Sequence, residues 1–139
     1  MTAFDPPVAA DRLSMIPARL NGEKGRPSAV LVGLTVCDDG WQVIMTERAH
    51  HLAHHAGQIS FPGGKVEEKD GGPVAAALRE AHEEIGLAAE YVDIAGFLNT
   101  YETGSGFRIL PVVGFVRPGF QLEIDPNEVA ECFVAPFIQ

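Results

Sequence analysis

Short apolar runs alternate with turn-forming residues along most of this chain, and the pattern predicts several strands around one helix. The predicted strands are rich in β-branched and aromatic residues. They cover residues 29–36, 41–46, 91–101, 107–117 and 131–138. Residues 38–40 predict a tight turn, residues 51–64 a loop that ends in a Gly-Gly turn, and residues 102–106 a flexible loop.

The helix is predicted over residues 74–85, because its apolar residues recur at helical spacing. Pro73 suits the first helical position, and Gly86 suits the stop at the other end. One helix set among strands predicts an α/β domain in which the helix packs on a mixed sheet. The apolar stripe consists of Val74, Ala77, Leu78, Ala81 and Ile85.

Composition divides the chain into two parts. Residues 1–28 are rich in proline, glycine and charge, so we expect a partly ordered N-terminal arm with one short helix, followed by a single domain over residues 29–139. Apolar residues make up 46% of the chain, which is enough for a packed core. Cys37 and Cys132 are far apart in the sequence and are expected to be buried free thiols.

The charge balance limits the partners. The 139 residues include 19 Asp and Glu against 10 Lys and Arg, a formal net charge of -9, which argues against binding along a nucleic-acid backbone. No apolar run is long enough to span a membrane, and the N-terminus lacks a basic start followed by an apolar block. These features predict a cytoplasmic protein without membrane partners.

Three carboxylates crowd the predicted helix. Glu80, Glu83 and Glu84 stand at i, i+3 and i+4 and so share one face, close to the helix end where the macrodipole disfavours anions. Arg79 can pair with Glu83, but one guanidinium cannot neutralise three carboxylates. A divalent cation such as Mg²⁺ or Mn²⁺ can do so, because it prefers hard oxygen ligands. The alternative is an exposed acidic face, and the triplet alone leaves both interpretations open.

The surrounding sequence resembles the Nudix box of the Nudix hydrolases. Gly64 matches the opening glycine, and the segment from Arg79 to Leu87, "REAHEEIGL", matches the closing half. Two departures lie between them. Asp70 stands where the family has its first glutamate, and eight residues rather than seven separate that position from Arg79.

The segment before the box resembles the coenzyme A pyrophosphatase branch, and the likeness covers about residues 29–137. Ala53 stands where that branch has a second arginine. Domains of the family continue into a further helix, and a sequence that stops at Gln139 leaves open whether the chain is truncated or its architecture abbreviated. The matching upstream positions are Thr46, Arg48, His55, Gly57, Gln58, Ile59, Phe61, Pro62, Gly63 and Gly64.

The resemblance implies a Nudix-like α/β/α sandwich with a mixed β-sheet, with or without the C-terminal helix. It implies a metal-dependent hydrolase that cleaves the diphosphate of coenzyme A or a related nucleoside diphosphate derivative, such as ADP-ribose. A non-enzymatic alternative is a Nudix-like sensor domain that binds a nucleotide without turnover. The intact glutamates argue against this alternative. The expected partner is a small-molecule nucleotide, and a homodimer is left open.

The resemblance also assigns roles to residues. Glu80, Glu84 and Glu83 would bind Mg²⁺ or Mn²⁺ together with the Gly64 carbonyl. Arg79 would hold a glutamate in place. The general base would be Glu83 or a carboxylate from a loop. Glu128 is the loop candidate, although a surface or helix-capping role is favoured for it.

Scarce cations near the box are the candidates for binding substrate phosphate. They are Arg48, Lys65 and Arg108, and a surface salt bridge is the alternative for each, with binding favoured only for Arg48. The upstream resemblance adds His55, Gln58 and Phe61 to the substrate-binding residues.

Four histidines in residues 50–55 have the spacing of a zinc site, but a solvated histidine-rich segment is favoured over zinc because no cysteine accompanies them. Trp41 and His82 are expected in the core and on the surface, respectively.

Overall fold

The structure is a computed structural model, and it describes residues 25–37, 40–53, 56–104 and 106–136. The short helix expected in the N-terminal arm and the candidate His55 lie outside these residues, and so does part of the loop predicted over residues 102–106. The strands are Arg26–Cys37 (β1), Gly40–Arg48 (β2), Ile59–Ser60 (β3), Gly63–Lys65 (β4), Val92–Phe97 (β5), Tyr101–Glu102 (β6), Phe107–Val116 (β7) and Val129–Pro136 (β8). The helix is Pro73–Ile85 (α1), with 3-10 turns at Glu68–Asp70 and Ala89–Tyr91.

The eight strands form one mixed sheet, which confirms the predicted α/β class. Its main order is β3-β2-β1-β7-β5, while β4 pairs with β1, β6 with β7, and β8 with β2. The central β1 and β7 run parallel, from the pair Arg26 and Phe107 to the pair Leu34 and Phe115. The other pairings are antiparallel.

Helix α1 has the predicted limits because its ends carry the expected residues. Pro73 occupies the first turn, and Gly86 takes a left-handed conformation with φ 73° while its N–H donates to the His82 carbonyl. The helix buries Ala76, Ala77, Ala81 and Ile85. Val74 and Leu78 of the predicted stripe are partly buried against the same core. Small alanines let the helix approach the sheet closely.

Alternate residues of β1 supply two apolar layers. Ala29 and Leu31 pack with the buried face of α1. Val32 and Leu34 point to the other face of the sheet. Trp41 packs against that second layer, with its ring centroid 5.3 Å from that of Phe115, as expected for a core residue.

Three local predictions were wrong. Residues 51–64 are not a plain loop, because they contain β3 and the start of β4. Residues 91–101 are not one strand, because the chain leaves the ladder after Phe97 and returns only at β6. Cys37 is exposed rather than buried, because the end of β1 extends beyond the core and leaves both Val36 and Cys37 exposed. No helix among the described residues is long and apolar enough to cross a membrane.

Candidate active site

Three carboxylates meet at the C-terminal half of α1. Glu80, Glu84 and Glu128 each place a carboxylate oxygen within 4.8 Å of the other two. Glu80 and Glu84 are partly buried against the sheet, whereas Glu128 is exposed. Two of the three predicted helix carboxylates thus lie beside Glu128, the loop candidate, which the sequence favours as a surface or capping residue.

Backbone hydrogen bonds place Glu128 beside the helix. The Asp125 N–H donates to the Glu84 carbonyl at 2.9 Å, which docks the segment before β8 on the end of α1. A turn follows, in which the Glu128 N–H donates to the Asp125 carbonyl at 3.0 Å. The Ala49 N–H then donates to the Glu128 carbonyl at 2.9 Å. The Asp-Pro-Asn turn signal was visible in the sequence, but its docking partner was not.

Arg79 hydrogen-bonds Asp70, the position at which this sequence departs from the Nudix-box pattern. Its Nε and Nη2 donate to the two Asp70 oxygens at 2.7 and 3.0 Å, and its Nη2 also donates to the Lys65 carbonyl at 3.1 Å. The Asp70 side chain is 3% exposed. The Arg79 guanidinium holds the pKa of this carboxyl below its usual value. Asp70 therefore serves as the hydrogen-bond partner of Arg79, despite the extra residue between the two positions.

The third helix carboxylate, Glu83, points toward Arg79 instead of the cluster. Arg79 Nη1 donates to the two Glu83 oxygens at 3.0 and 3.2 Å. The Glu83 side chain is 49% exposed, whereas Glu80 is 16% exposed. Glu83 is thus outside the three-carboxylate cluster, although the same Arg79 Nη1 also lies 3.6 Å from Glu80 Oε2.

The Gly63–Gly64 pair brings β4 against both the sheet and the carboxylates. A Cβ on Gly64 would lie 2.1 Å from Glu80 Oε2, so a residue without a side chain is needed for the glutamate to rest there. A Cβ on Gly63 would lie 2.3 Å from the Ala29 carbonyl oxygen. The Gly63 N–H also hydrogen-bonds the Glu84 carboxylate. The predicted ligand position Gly64 therefore borders the cluster.

Crowding and burial raise the pKa values of the two buried glutamates. Burial is the largest cause for Glu84, followed by repulsion from Glu80 and Glu128, and together they raise its pKa to about 8. Burial likewise raises the pKa of Glu80, which Arg79 partly offsets. Such a set of carboxylate oxygens can hold a hard divalent cation, which would remove the repulsion that otherwise favours the protonated forms.

The stability of the metal-free protein should therefore fall as the pH rises. The pKa of Glu84 is raised from the ordinary 4.5 to about 8, so the folded state retains a proton that the unfolded state releases between these values. We expect the melting temperature in EDTA to drop by ~5 °C or more from pH 5 to pH 9. Mg²⁺ should restore it.

The control for this experiment is Glu84→Gln, which cannot ionise. Its melting temperature in EDTA should change less with pH than that of the wild type. Equal pH slopes for the two proteins would contradict the assigned cause.

A cavity of about 490 Å³ lies on the sheet face opposite α1 and reaches the Gly63–Gly64 pair. It brings together three predicted substrate-binding residues, Gln58, Phe61 and Lys65. Its other lining residues are Ser28, Val30, Met45, Ile59, Ser60, Gly63, Gly64, Tyr101, Thr103, Phe107 and Ile109.

The other predicted cations do not line this cavity. Arg108 is buried, its side chain 8% exposed, and it pairs with Glu102. It points away from the cavity because side chains alternate along β7 and its neighbours Phe107 and Ile109 face the cavity. Arg48 ends β2, where its N–H donates to the Gln58 carbonyl at 2.9 Å.

The histidines form no metal site within the described part of the chain. His50 Nε2 lies 2.6 Å from Glu47 Oε2, and His51 is exposed. His54 and His55 lie outside the described residues. His82 is exposed, as expected.

Comparisons with known proteins agree with this geometry. The NUDIX domain profile matches residues 26–137. The uncharacterized Nudix hydrolase NudL of Enterobacter sp. (strain 638) is 41% identical over 111 residues, which are 80% of this chain and 57% of that protein. NudL of Citrobacter koseri is 37% identical over 127 residues, 90% of this chain and 66% of that protein. The chain thus spans between half and two thirds of the length of these curated relatives.

Solved structures share the fold. The Nudix hydrolase RenU from M. smegmatis matches with a TM-score of 0.65 and 23% identity, over 78% of this chain and 69% of that one. The NUDIX domain of Shewanella oneidensis NrtR, complexed with ADP ribose, matches with a TM-score of 0.60 and 19% identity, over 82% and 74%. Taken with the family profile and the curated relatives, these likenesses show that the chain belongs to the Nudix family.

Proposed function

We propose that this domain hydrolyses the diphosphate bond of a nucleoside diphosphate derivative with the help of a divalent cation. The observation that carries the proposal is the junction at Gly63–Gly64. This pair borders the carboxylates of Glu80 and Glu84 on one side and the cavity on the other. A substrate whose organic part lies in the cavity would bring its diphosphate to the carboxylates by crossing β4 at this pair, since among the described strands β4 pairs only with β1.

In this proposal Glu80, Glu84 and Glu128 hold the cation, with the Gly64 carbonyl as a further ligand. A bound Mg²⁺ or Mn²⁺ would neutralise phosphoryl charge and lower the pKa of a water molecule. Glu83 stays the proposed base because its carboxylate is exposed, and in that role it would have to turn from Arg79, its partner in this structure, toward a water molecule on the cation. Asp70 in turn fixes Arg79.

The cavity lining suits the organic part of such a substrate. The aromatic rings of Phe61, Phe107 and Tyr101 offer flat apolar contacts. Gln58 and Thr103 supply polar groups that can orient a base or an amide. Lys65 adds a positive charge at the end of β4.

The finer proposal is coenzyme A or an acyl form of it, cleaved to 3′,5′-ADP and a phosphopantetheine product. It is supported by the likeness of residues 46–64 to the coenzyme A pyrophosphatase branch, in which Arg48 would contact phosphate and His55 would face the substrate. Ala53, where that branch has an arginine, is exposed and leaves room for another substrate such as ADP-ribose. The cytoplasmic location and the homodimer stay predictions.

Product analysis tests the proposal. The protein is incubated with coenzyme A, acetyl coenzyme A, ADP-ribose and diadenosine tetraphosphate, each with Mg²⁺, Mn²⁺ or EDTA, and the products are identified by mass spectrometry. We expect metal-dependent cleavage within the diphosphate, with coenzyme A among the best substrates. Tight nucleotide binding without turnover of any compound would instead favour the sensor alternative.

A further inference from the structure

Two cations meet one aromatic ring at the end of the cavity. Arg26 Cζ lies 4.3 Å from the ring centroid of Phe107, and Lys65 Nζ lies 5.9 Å from it. Phe107 and Lys65 both line the cavity. The three residues come from β1, β4 and β7, which are neighbours in the sheet.

The sheet register fixes this arrangement. Arg26 pairs with Phe107 in the parallel ladder, and Lys65 pairs with Ser28 in the antiparallel one. The Arg26 N–H donates to the Gly106 carbonyl at 3.0 Å, which pins the start of β1. Because side chains alternate along a strand, Arg26 lies on the same face as Ser28 and Val30, which line the cavity.

Residues of β4 alternate between the two faces of the sheet, and this alternation separates the negative charge beside α1 from the positive charge beside the cavity. Gly64 faces α1 and the Glu80 carboxylate, whereas the next residue, Lys65, faces the cavity. No residue that lines this cavity among the described part of the chain is acidic. Glu102 lines a smaller cavity next to Phe107 but is paired with Arg108, so the charges of Arg26 and Lys65 make this end of the larger cavity suited to an anion.

We infer that Arg26 and Lys65 bind a phosphomonoester that the substrate carries in addition to its diphosphate. The inference rests on the proposed function for the location of the diphosphate. It identifies the substrate class as a phosphorylated nucleoside diphosphate derivative, and it assigns Arg26 a role in specificity.

Binding without metal tests this inference separately from catalysis. The dissociation constants of adenosine 3′,5′-bisphosphate and of AMP are measured by calorimetry in EDTA. The wild type should bind the bisphosphate about tenfold more tightly, the effect of one well-placed charged hydrogen bond. Arg26→Gln should bring the ratio close to one, and Arg26→Lys should retain part of it. The preference should shrink with added salt.

The matched control is Arg117→Gln, since Arg117 is an exposed cation that pairs with Asp93 near the other end of β7. It should leave the ratio unchanged. Melting temperatures check that each variant folds, and Lys65→Gln serves as a second variant if Arg26→Gln does not. Equal affinity of the wild type for both nucleotides, or a ratio that no variant changes, would overturn the inference.

Kinetics on coenzyme A and dephospho-coenzyme A complete the experiment. Arg26→Gln should lower kcat/KM about tenfold for coenzyme A and much less for the dephosphorylated compound. If the bisphosphate preference is present but neither these two compounds nor any other compound of the panel is cleaved, the proposed function fails while the phosphate site stands. If both are cleaved equally by the wild type and the variant, the phosphate site fails and the hydrolase stands.

Discussion

Glu84→Gln is expected to reduce kcat by about 10³-fold at saturating Mg²⁺. Glu84 lies within the cluster of Glu80 and Glu128, and an amide in its place removes a charged ligand while keeping the shape of the side chain. The loss corresponds to ~4 kcal/mol of transition-state stabilisation, which is in the range that a metal ion supplies. The steady-state rate on the best substrate of the panel measures it.

The fold should survive this change. Glu84 is held mostly protonated without metal at neutral pH, since its pKa is raised to about 8, so the amide replaces a neutral group. The melting temperature in EDTA should stay equal or rise. Glu90→Gln, which alters an exposed carboxylate outside the cluster, serves as control and should keep full activity. Near wild-type turnover by the Glu84 variant would refute its assignment as a ligand.

Gly64→Ala is expected to lower kcat at least 10²-fold. We expect little loss of stability. The new Cβ would lie 2.1 Å from Glu80 Oε2, so the carboxylate must swing away from the cluster. The end of a flexible side chain can move at low energetic cost, so the fold tolerates the change while a ligand is displaced. Activity and melting temperature are measured on the same sample.

The neighbouring glycine provides the contrast. In Gly63→Ala the Cβ would meet the backbone of β1, 2.3 Å from the Ala29 carbonyl oxygen, and a strand pair cannot separate without losing its hydrogen bonds. We expect this variant to lose ~2 kcal/mol or more of stability. Gly104→Ala, with open space around its Cβ, is the neutral control. Similar melting temperatures for the Gly63 and Gly64 variants would show that the two contacts were misassigned.

Local signals predicted α1 with its ends and the principal strands. Pro73 and Gly86 restrict the backbone at their own positions, so the helix limits follow from adjacent residues. The short strands β3, β4 and β6 were missed because each contains only two or three residues. Such segments are extended only because a longer strand is beside them, as β1 is for β4 and β7 is for β6.

The sequence by itself determined the family, the helix and the acidic face that contains Glu80 and Glu84, since spacing along one helix decides which side chains are neighbours. Only the tertiary structure decided the membership of the carboxylate cluster. Asp70 fixes Arg79 by hydrogen bonds, and Arg79 in turn hydrogen-bonds Glu83, which therefore stays outside the cluster. The segment docked on the end of α1 brings Glu128 in. The Arg79–Glu83 pair itself follows from helical spacing. The contact of Asp70 with Arg79 and the docking of the segment that carries Glu128 join α1 to other parts of the chain, and no periodicity encodes them.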